Sequence, residues 1–542
     1  MTEEAETPLL GDELFVDEDF PANDDSLFKN GERPGYSPIT GWKRPWEIVQ
    51  NPQMFVQGAS RADVLQGGLG DCWFLSACAA VAQGKHVKIK YDDGVEGAWV
   101  LNSYSDDECQ NLITQVIPEG QVLCGEGYTG KVTFYFWRMG QWGKVEIDDR
   151  LPVNETGDLV YAKCKDENEY WLPLLEKAFA KYHGRYDLLD GGHLDEGILY
   201  LTGAVVKTFG AENRSLFRVM RDEFHAGSVI LCGSIPIEDR NSGIVQSHAY
   251  TITGLASFMQ GTRRIQLLRV RNPWGHKEWT GAWSDTDDTN WSDIDSTLKD
   301  LLLGPRDNID ANDGEAWMEY KDFRGYFQQV TVATILPEAD GKKLCTSIGC
   351  WEQYFNAGGS QQHTESFAKN PQYLLTVNSS DDDYMRFPGD DDDDEEKEEI
   401  EKKKGKSAVR IEMIQELNRS KYGKLYQAGL AIYKTTDPSK RLSAEELTEK
   451  IGSETISTNS SVLRQEMLEP GHYVIVPYLQ EPNLSREFFI RAHSNKPIKL
   501  EELRDTEKNT ETWWESILRC NCFSCKTEDI RVNITVSGTV NL

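Results

Sequence analysis

Residues 65–84, LQGGLGDCWFLSACAAVAQG, constrain the fold more than any other stretch, because a glycine-rich loop runs straight into a segment that is apolar on nearly every helical face. Such a helix is stable only when protein surrounds it, so the chain must build a core about it. Cys72 stands in its first turn, where the positive end of the helix dipole and unpaired backbone amides lower a thiol pKa and favour the thiolate. The same amides, with the Gln66 side chain upstream, are placed to hold an oxyanion formed when a thiolate attacks a carbonyl. Free cysteines are more often inert buried thiols, and Cys78, deeper in the same apolar run, is read as one.

A cysteine nucleophile needs a base, and the base needs an orienting partner. Two strand-like segments supply candidates. In QSHAYTITG, His248 opens a strand, and in RVRNPWG, Asn272 ends the next one, just before a Pro-Trp-Gly turn. An Asn side chain there can accept from the imidazole and fix its tautomer, and Trp274 is placed to keep water off that bond. Taken singly, a His or Asn at a strand end usually just satisfies local hydrogen bonds, so the reading rests on the three residues together.

A chain of 542 residues exceeds what one core supports, and three or so compact units are expected. The net charge of −31 argues against nucleic acid as a partner and makes divalent cations more natural ones. Part of that charge is local to the acidic block 381–401. The first residues lack a basic and an apolar region of a secretory signal, and no run approaches the roughly 18 apolar residues of a membrane span, so a cytoplasmic location is expected. Eleven cysteines without framework spacing fit a reducing compartment.

Along the chain, 1–30 is an acidic segment. Residues 31–191 mix helical and strand patterns, with an alternating run at 131–149 and an amphipathic helix at 169–183, and the Gly191-Gly192 pair reads as a hinge. Residues 192–338 read as antiparallel strands. Residues 339–495 carry short, evenly spaced strands, the pattern of a β-sandwich, with 381–401 as a solvated loop. Residues 496–542 form a polar tail holding Cys520, Cys522 and Cys525, three cysteines without a nearby histidine and a weak basis for zinc.

The segments QGGLGDCWFLSA, QSHAYTITG and RVRNPWGHKEWTGAWSD, in that order, resemble the three signature blocks of the calpains, and CWEQYFNAGG at 350–359 with FAKNPQYLLTV at 367–377 resembles the start of the calpain β-sandwich. The resemblance implies an α+β fold: a two-lobed papain-like cysteine protease core, with lobes at 31–191 and 192–338, followed by an antiparallel β-sandwich. It implies a calcium-activated intracellular cysteine endopeptidase that makes limited cuts in proteins through a thioester acyl-enzyme. By position Cys72 is similar to the family nucleophile, His248 to the base, Asn272 to the orienting residue and Gln66 to the oxyanion donor.

Ca²⁺ is the implied cofactor, and it takes six to eight oxygen ligands. The second-lobe set would be Glu278, Asp285, Asp313 and Glu315 with a backbone carbonyl at Ala311. The first-lobe set would be carbonyls of Val56 and Gly58 with the Asp63 carboxylate, and Gln141 stands where many members carry a glutamate, which implies weaker binding. Without the resemblance these acids would be read as solvated surface groups. Implied partners are protein substrates and, through the sandwich, calcium-dependent contact with phospholipid at the membrane periphery. No EF-hand loop follows residue 495, so an atypical form without an EF-hand small subunit is expected. Two other classes fit parts of the pattern: a transglutaminase-like acyltransferase, whose third residue is usually Asp, and a non-catalytic calcium-responsive scaffold, which would have no need of all three residues.

Overall fold

The computed structural model describes residues 14–35, 37–83, 86–90, 99–103, 112–236, 239, 241–303, 312–336, 343–378, 405–452 and 455–504, with backbone alone at 86–90 and 102–103. The chain begins with β1 (Gly41–Lys43), α1 (Pro45–Ile48), α2 (Cys72–Val81), β2 (His86–Lys90), β3 (Trp99–Ser103) and α3 (Ile113–Val116). It continues through β4 (Lys131–Arg138), β5 (Gln141–Asp148), β6 (Leu151–Val153), α4 (Trp171–His183) and α5 (Leu194–Thr202). Then come β7 (Val205–Gly210), α6 (Leu216–His225), β8 (Val229–Ser234), β9 (Ala249–Gln260), β10 (Arg263–Arg271), β11 (Glu315–Glu319) and β12 (Phe327–Thr334). The last described part holds β13 (Leu344–Trp351), β14 (Gln372–Val377), β15 (Ser407–Gln415), β16 (Ala428–Thr435), β17 (Thr455–Ser457), β18 (Ser461–Leu468), β19 (Gly471–Leu479), β20 (Arg486–Ser494) and β21 (Ile498–Leu503).

Helix α2 is surrounded as its composition demands: every residue from Trp73 to Val81 is buried. Phe74 stacks on Phe179 of α4 with ring centroids 3.9 Å apart. On another side α2 meets β9, where the Thr251 hydroxyl donates to the Ser76 carbonyl at 2.8 Å. It also lies so close to α5 that a Cβ on Gly197 would touch the Trp73 carbonyl and Ala77, which is why glycine is needed there.

Helix α4 departs from the amphipathic pattern expected of 169–183. Glu176 and Lys177 are buried in it along with the apolar residues. The N-terminal segment covers the face that would otherwise meet water: the Lys181 ammonium donates to both Asp17 oxygens, at 2.8 and 2.7 Å. Inside, Lys177 donates to Asp148 at 2.6 Å and lies 5.4 Å from the centre of the Trp42 ring.

Strands β11, β10, β9, β8, β12 and β7 form, in that order, an antiparallel sheet, and β3 adds to it by pairing with β9, carrying β2 with it. Strands β2 and β3, expected in the first lobe, thus belong by hydrogen bonding to the sheet of the second. After residue 343 two antiparallel sheets, β13-β20-β15-β18 and β17-β16-β19-β14-β21, bury one shared cluster that includes Val409, Ile411, Leu430, Ile432 and Ile490. The expected boundary at 495 moves, because β21 pairs with β14 through Leu503. The acidic block 381–401, which follows β14 and precedes β15, and the cysteine-rich stretch 520–525 lie outside the described residues. Among the described residues no helix is long and apolar enough to cross a membrane.

The sandwich grips the protease part through arginines. Arg419 donates to the carbonyls of Leu188 at 2.8 Å and Gly191 at 2.6 Å and to the Glu196 carboxylate at 2.6 Å, while its guanidinium lies 4.6 Å from the centre of the Trp73 ring. Arg491 donates to the carbonyls of Gly203 and Ala204. Arg419 therefore touches both sides of the expected hinge and the residue after Cys72. Arg419→Ala would leave Glu196 buried without its cation, and protonation of Glu196 would limit the penalty to about 2 kcal/mol. Urea unfolding of the full chain reads this directly, and an unchanged midpoint would show that the seam carries no stability.

Candidate active site

Cys72 is the first residue of α2 and is partly buried. The Asp71 carbonyl ahead of it accepts from the amides of Phe74 and Leu75, at 2.8 and 3.1 Å. The backbone amides of Ala249, Trp73 and Cys72 itself lie close enough to the thiol to favour its charged form. Burial outweighs them, and with the adjacent Asp71 it raises the thiol above its ordinary pKa. The expectation of a thiolate stabilised by the helix dipole is reversed in this arrangement, because desolvation of a buried anion exceeds the pull of a few amides.

His248 directly precedes β9 and is held at both ends of its peptide unit. Its amide donates to the Ser234 hydroxyl at 2.9 Å, and its carbonyl accepts from the Ser234 amide at 3.0 Å. Ala249, whose amide reaches the Cys72 thiol, is its neighbour in the chain. His248 Nε2 lies 2.9 Å from Asn272 Oδ1. The Asn272 side chain is fixed in that sense, because its Nδ2 donates to the carbonyls of His276 and Lys277, both at 2.9 Å, and its Oδ1 also accepts from the Trp274 amide at 3.0 Å. With both amide hydrogens spent, Asn272 presents only an acceptor to the ring. Nε2 must then carry the proton, leaving Nδ1 as the basic nitrogen. Burial lowers the imidazole to about 4 against the opposing effect of Asn272, so the ring is neutral at pH 7.

The Trp274 ring lies 5.1 Å from the His248 ring, centre to centre. Gln66 spans the two halves of the site, its amide donating to the Pro273 carbonyl at 2.9 Å. Its Nε2 donates one hydrogen to the Leu69 carbonyl at 2.7 Å, which leaves the second for an oxyanion. Its loop must be glycine-rich because a Cβ on Gly67 would run into the Tyr161 carbonyl. Beside the site, Arg61 Nε donates to Glu315 at 3.1 Å and Arg271 to the Ala62 carbonyl at 3.2 Å, tying the loop before α2 to strands β11 and β10.

The first candidate calcium group gathers Val56, Gly58 and Asp63, and it brings in Glu169, which sequence reading missed. Glu169 accepts from the Val56 amide at 2.8 Å and faces Asp63. Burial, with Asp63 opposite, pushes the Glu169 carboxyl up to about 8, and burial raises Asp63 as well. Two buried carboxyls facing each other, beside a loop where Gln57 and Gly58 have φ of 59° and 84°, suit a divalent cation that replaces protons between them. Gln141 is not at this place. It lies at the β4–β5 turn opposite Arg138, and the neighbouring Gly140 abuts Phe489 of the sandwich.

In the second group Glu278 accepts from the Gly314 amide at 3.0 Å and Asp313 from the Glu315 amide at 2.8 Å. Burial, together with Asp313 and Glu315, pushes Asp285 up to about 7. The Glu315 carboxylate faces away from such a role, being bound by Arg61, Arg269 and Thr253. Ala311 lies outside the described residues. Among the described residues no three His, Cys, Asp or Glu side chains are grouped to hold a metal, so either site would depend on backbone carbonyls for most of its oxygens.

Comparison with known proteins agrees with the geometry. The family described as calpain family cysteine protease matches residues 15–90 and 96–334, and the calpain large subunit domain III matches residues 347–493. The chain is 33% identical to Calpain-12 of Homo sapiens over 523 residues, covering 91% of this chain and 68% of that protein. It is 33% identical to Calpain-9 of Mus musculus over 502 residues, with 89% and 65% covered, and 32% identical to the Calpain-1 catalytic subunit of Homo sapiens over 519 residues, with 91% and 66% covered. The chain spans about two thirds of the length of the curated relatives it matches. Family matches across both the protease part and the sandwich, and relatives about 33% identical over two thirds of their length, lead to one conclusion: this chain belongs to the calpain family of cysteine proteases.

Proposed function

We propose that the chain is a calcium-activated cysteine endopeptidase that cuts exposed, extended segments of cytoplasmic proteins, with the papain-like pairing of a helix-borne cysteine and a strand-borne histidine. The observation that carries this reading is the fixed His248–Asn272 pair, with Nδ1 left basic, next to the residue whose amide reaches the Cys72 thiol. His248 Nδ1 takes the thiol proton as Cys72 Sγ attacks the scissile carbonyl carbon. The oxyanion is held by the second Nε2 hydrogen of Gln66 and the backbone amide of Cys72. His248 returns the proton to the leaving amine, and a thioester remains. Water, deprotonated by the same Nδ1, then releases the acid and restores the thiol.

Asp63 and Glu169, with carbonyls of Val56 and Gly58, would hold one calcium, and Glu278, Asp285 and Asp313, drawn closer by the ion and joined by backbone carbonyls, a second. Bound calcium would supply positive charge that lets these buried carboxyls ionise and stiffens the loops next to Gln66 and Asn272. A cytoplasmic place and contact of the sandwich with phospholipid are part of the same proposal. The test is cleavage of casein by the purified full chain across a calcium titration. Cleavage that needs calcium supports the reading, and a folded chain inert at every calcium concentration sinks it in favour of a scaffold. Glu169→Gln is expected to move the calcium midpoint at least about tenfold higher without lowering the plateau. Gln141→Ala should leave the midpoint where it is. Equal effects of the two substitutions would return Gln141 to the site.

A further inference from the structure

Directly ahead of the nucleophile lies a pair of acids that the mechanism above does not use. Asp71 is 0% exposed and Glu176, on α4, is 1% exposed. The Ala162 amide donates to both Glu176 oxygens, at 3.2 and 3.1 Å. No N–H or hydroxyl of another described residue reaches either oxygen of Asp71. The carboxyl that approaches it is that of Glu176.

The described groups that face the pair most closely are acids, thiols and phenols. Asp190 faces Asp71, and Cys72 and Cys78 face it from α2. Tyr161 and Tyr186, stacked with centroids 4.7 Å apart, face both acids. Asp148, beyond Tyr186, is met by its own cations, Lys177 and Arg150. Two ionised carboxylates in such a place would repel each other and leave Asp71 with no donor beyond its own amide, whereas one carboxyl proton between them satisfies Asp71 and removes the repulsion. Burial favours the same state, holding Asp71 up at about 7 and Glu176 well above its ordinary value.

We propose that Asp71 and Glu176 share a single proton and act as a positioning pair that keeps one negative charge against Cys72, so that the place of this proton sets how readily the thiol ionises. The inference deepens the protease reading and rests on Cys72 as its nucleophile. Because the charge is one residue from the sulfur and enclosed by protein, moving or removing it is felt by the thiol directly. The pair would hold the resting enzyme as a neutral thiol until His248 takes the proton.

The experiment is the pH dependence of Cys72 alkylation by iodoacetamide in the full chain, read by mass spectrometry of the peptide that contains Cys72. It compares the unmodified chain with Asp71→Asn and Glu176→Gln. In Asp71→Asn the charge beside the sulfur is gone, and the alkylation midpoint is expected about one pH unit lower. In Glu176→Gln the amide donates to Asp71 and keeps it ionised, so the midpoint stays or rises. A merely structural role would loosen the helix start in both variants and shift both midpoints the same way, and that result, or no shift in either, overturns the proposal.

If a variant does not fold, as judged by its thermal melt, the unmodified chain decides. A midpoint at or above the roughly 8.5 of free cysteine supports the pair, and one well below it overturns the pair. Opposed shifts in a chain that never cleaves casein would leave the pair standing and remove only the protease reading. Calcium-dependent cleavage with parallel shifts would do the reverse.

Discussion

Cys72→Ala is expected to abolish calcium-dependent casein cleavage, a loss of at least about 10⁴-fold in kcat, in a chain that unfolds at nearly the same urea concentration as the unmodified one. The loss is large because the sulfur forms the covalent bond, and nothing else on the first turn of α2 can replace it. Stability changes little because Cys72 is only partly buried and alanine keeps the helix. His248→Ala should cost about as much, and the double substitution no more than either alone, since the two residues act as one unit.

Asn272→Ala should be milder, by about 100-fold relative to Cys72→Ala, as the orienting member of a triad costs less than the nucleophile or base. It frees the His248 ring to take the other tautomer and leaves the Trp274 amide without its acceptor. The variants should differ in shape of response as well as size. Asn272→Ala leaves Nδ1 and sulfur in place, so slow cleavage persists, and its calcium midpoint is unchanged. Cleavage retained by Cys72→Ala would remove Cys72 as the nucleophile, and equal losses for all three would mean that Asn272 does more than orient the ring.

The placement of these three residues was legible in their local contexts: a cysteine at the start of an apolar helix, a histidine just before a strand and an asparagine before a Pro-Trp-Gly turn, each found where it was expected, with His248 and Asn272 in contact. Glu169 was not. It meets Asp63 only through the fold, and in sequence it is the acid ahead of a buried helix. The one available signal was an acidic residue immediately before Tyr170 and Trp171, both buried. Periodicity misjudged α4 for a similar reason, since Lys177 is enclosed by Trp42 and Asp148 and Lys181 is met by Asp17 of the N-terminal segment, all distant in sequence from the helix. The pairing of β3 with β9 follows from register between distant segments, which alternation within a strand does not specify. The thiol expectation failed on magnitude: a helix start favours a thiolate, but burial and Asp71 work against it and win. The β-sandwich was read nearly to its limits because each strand carries its own period and its own turn signals.

Glu315→Ala is expected to be the most destabilising of the substitutions discussed, about 3–5 kcal/mol in urea unfolding. Its carboxylate is 11% exposed and is bound by Arg61 from the loop before α2, by Arg269 of β10 and by the Thr253 hydroxyl of β9. Arg271, buried at 2% exposure, lies close enough to feel the same negative charge. Removing that charge takes away the anion that Arg61, Arg269 and Arg271 all face and leaves Arg61 and Arg271 to repel each other, in a region where water compensates poorly.

Arg61→Ala breaks the same bond from the other end and should cost only about 1 kcal/mol, because Glu315 keeps Arg269 and Thr253 and the lost partner was the more exposed one. The comparison separates two functions of one carboxylate. If Glu315 matters for cleavage by neutralising arginines, Arg61→Ala will cleave casein at the unmodified rate. If it matters by tying the loop before α2 to β11, Arg61→Ala will lower kcat while remaining folded, since Gln66 and Cys72 follow that loop and must stay in register with Pro273 and His248. The Gln66–Pro273 and Arg271–Ala62 hydrogen bonds cross the same seam, and with Arg61 removed they would hold the loop before α2, while Thr251–Ser76 still ties α2 itself to β9. Two hydrogen bonds position that loop less firmly than the same two with the Arg61–Glu315 ion pair, so a folded Arg61→Ala chain with a lower kcat is the expected result.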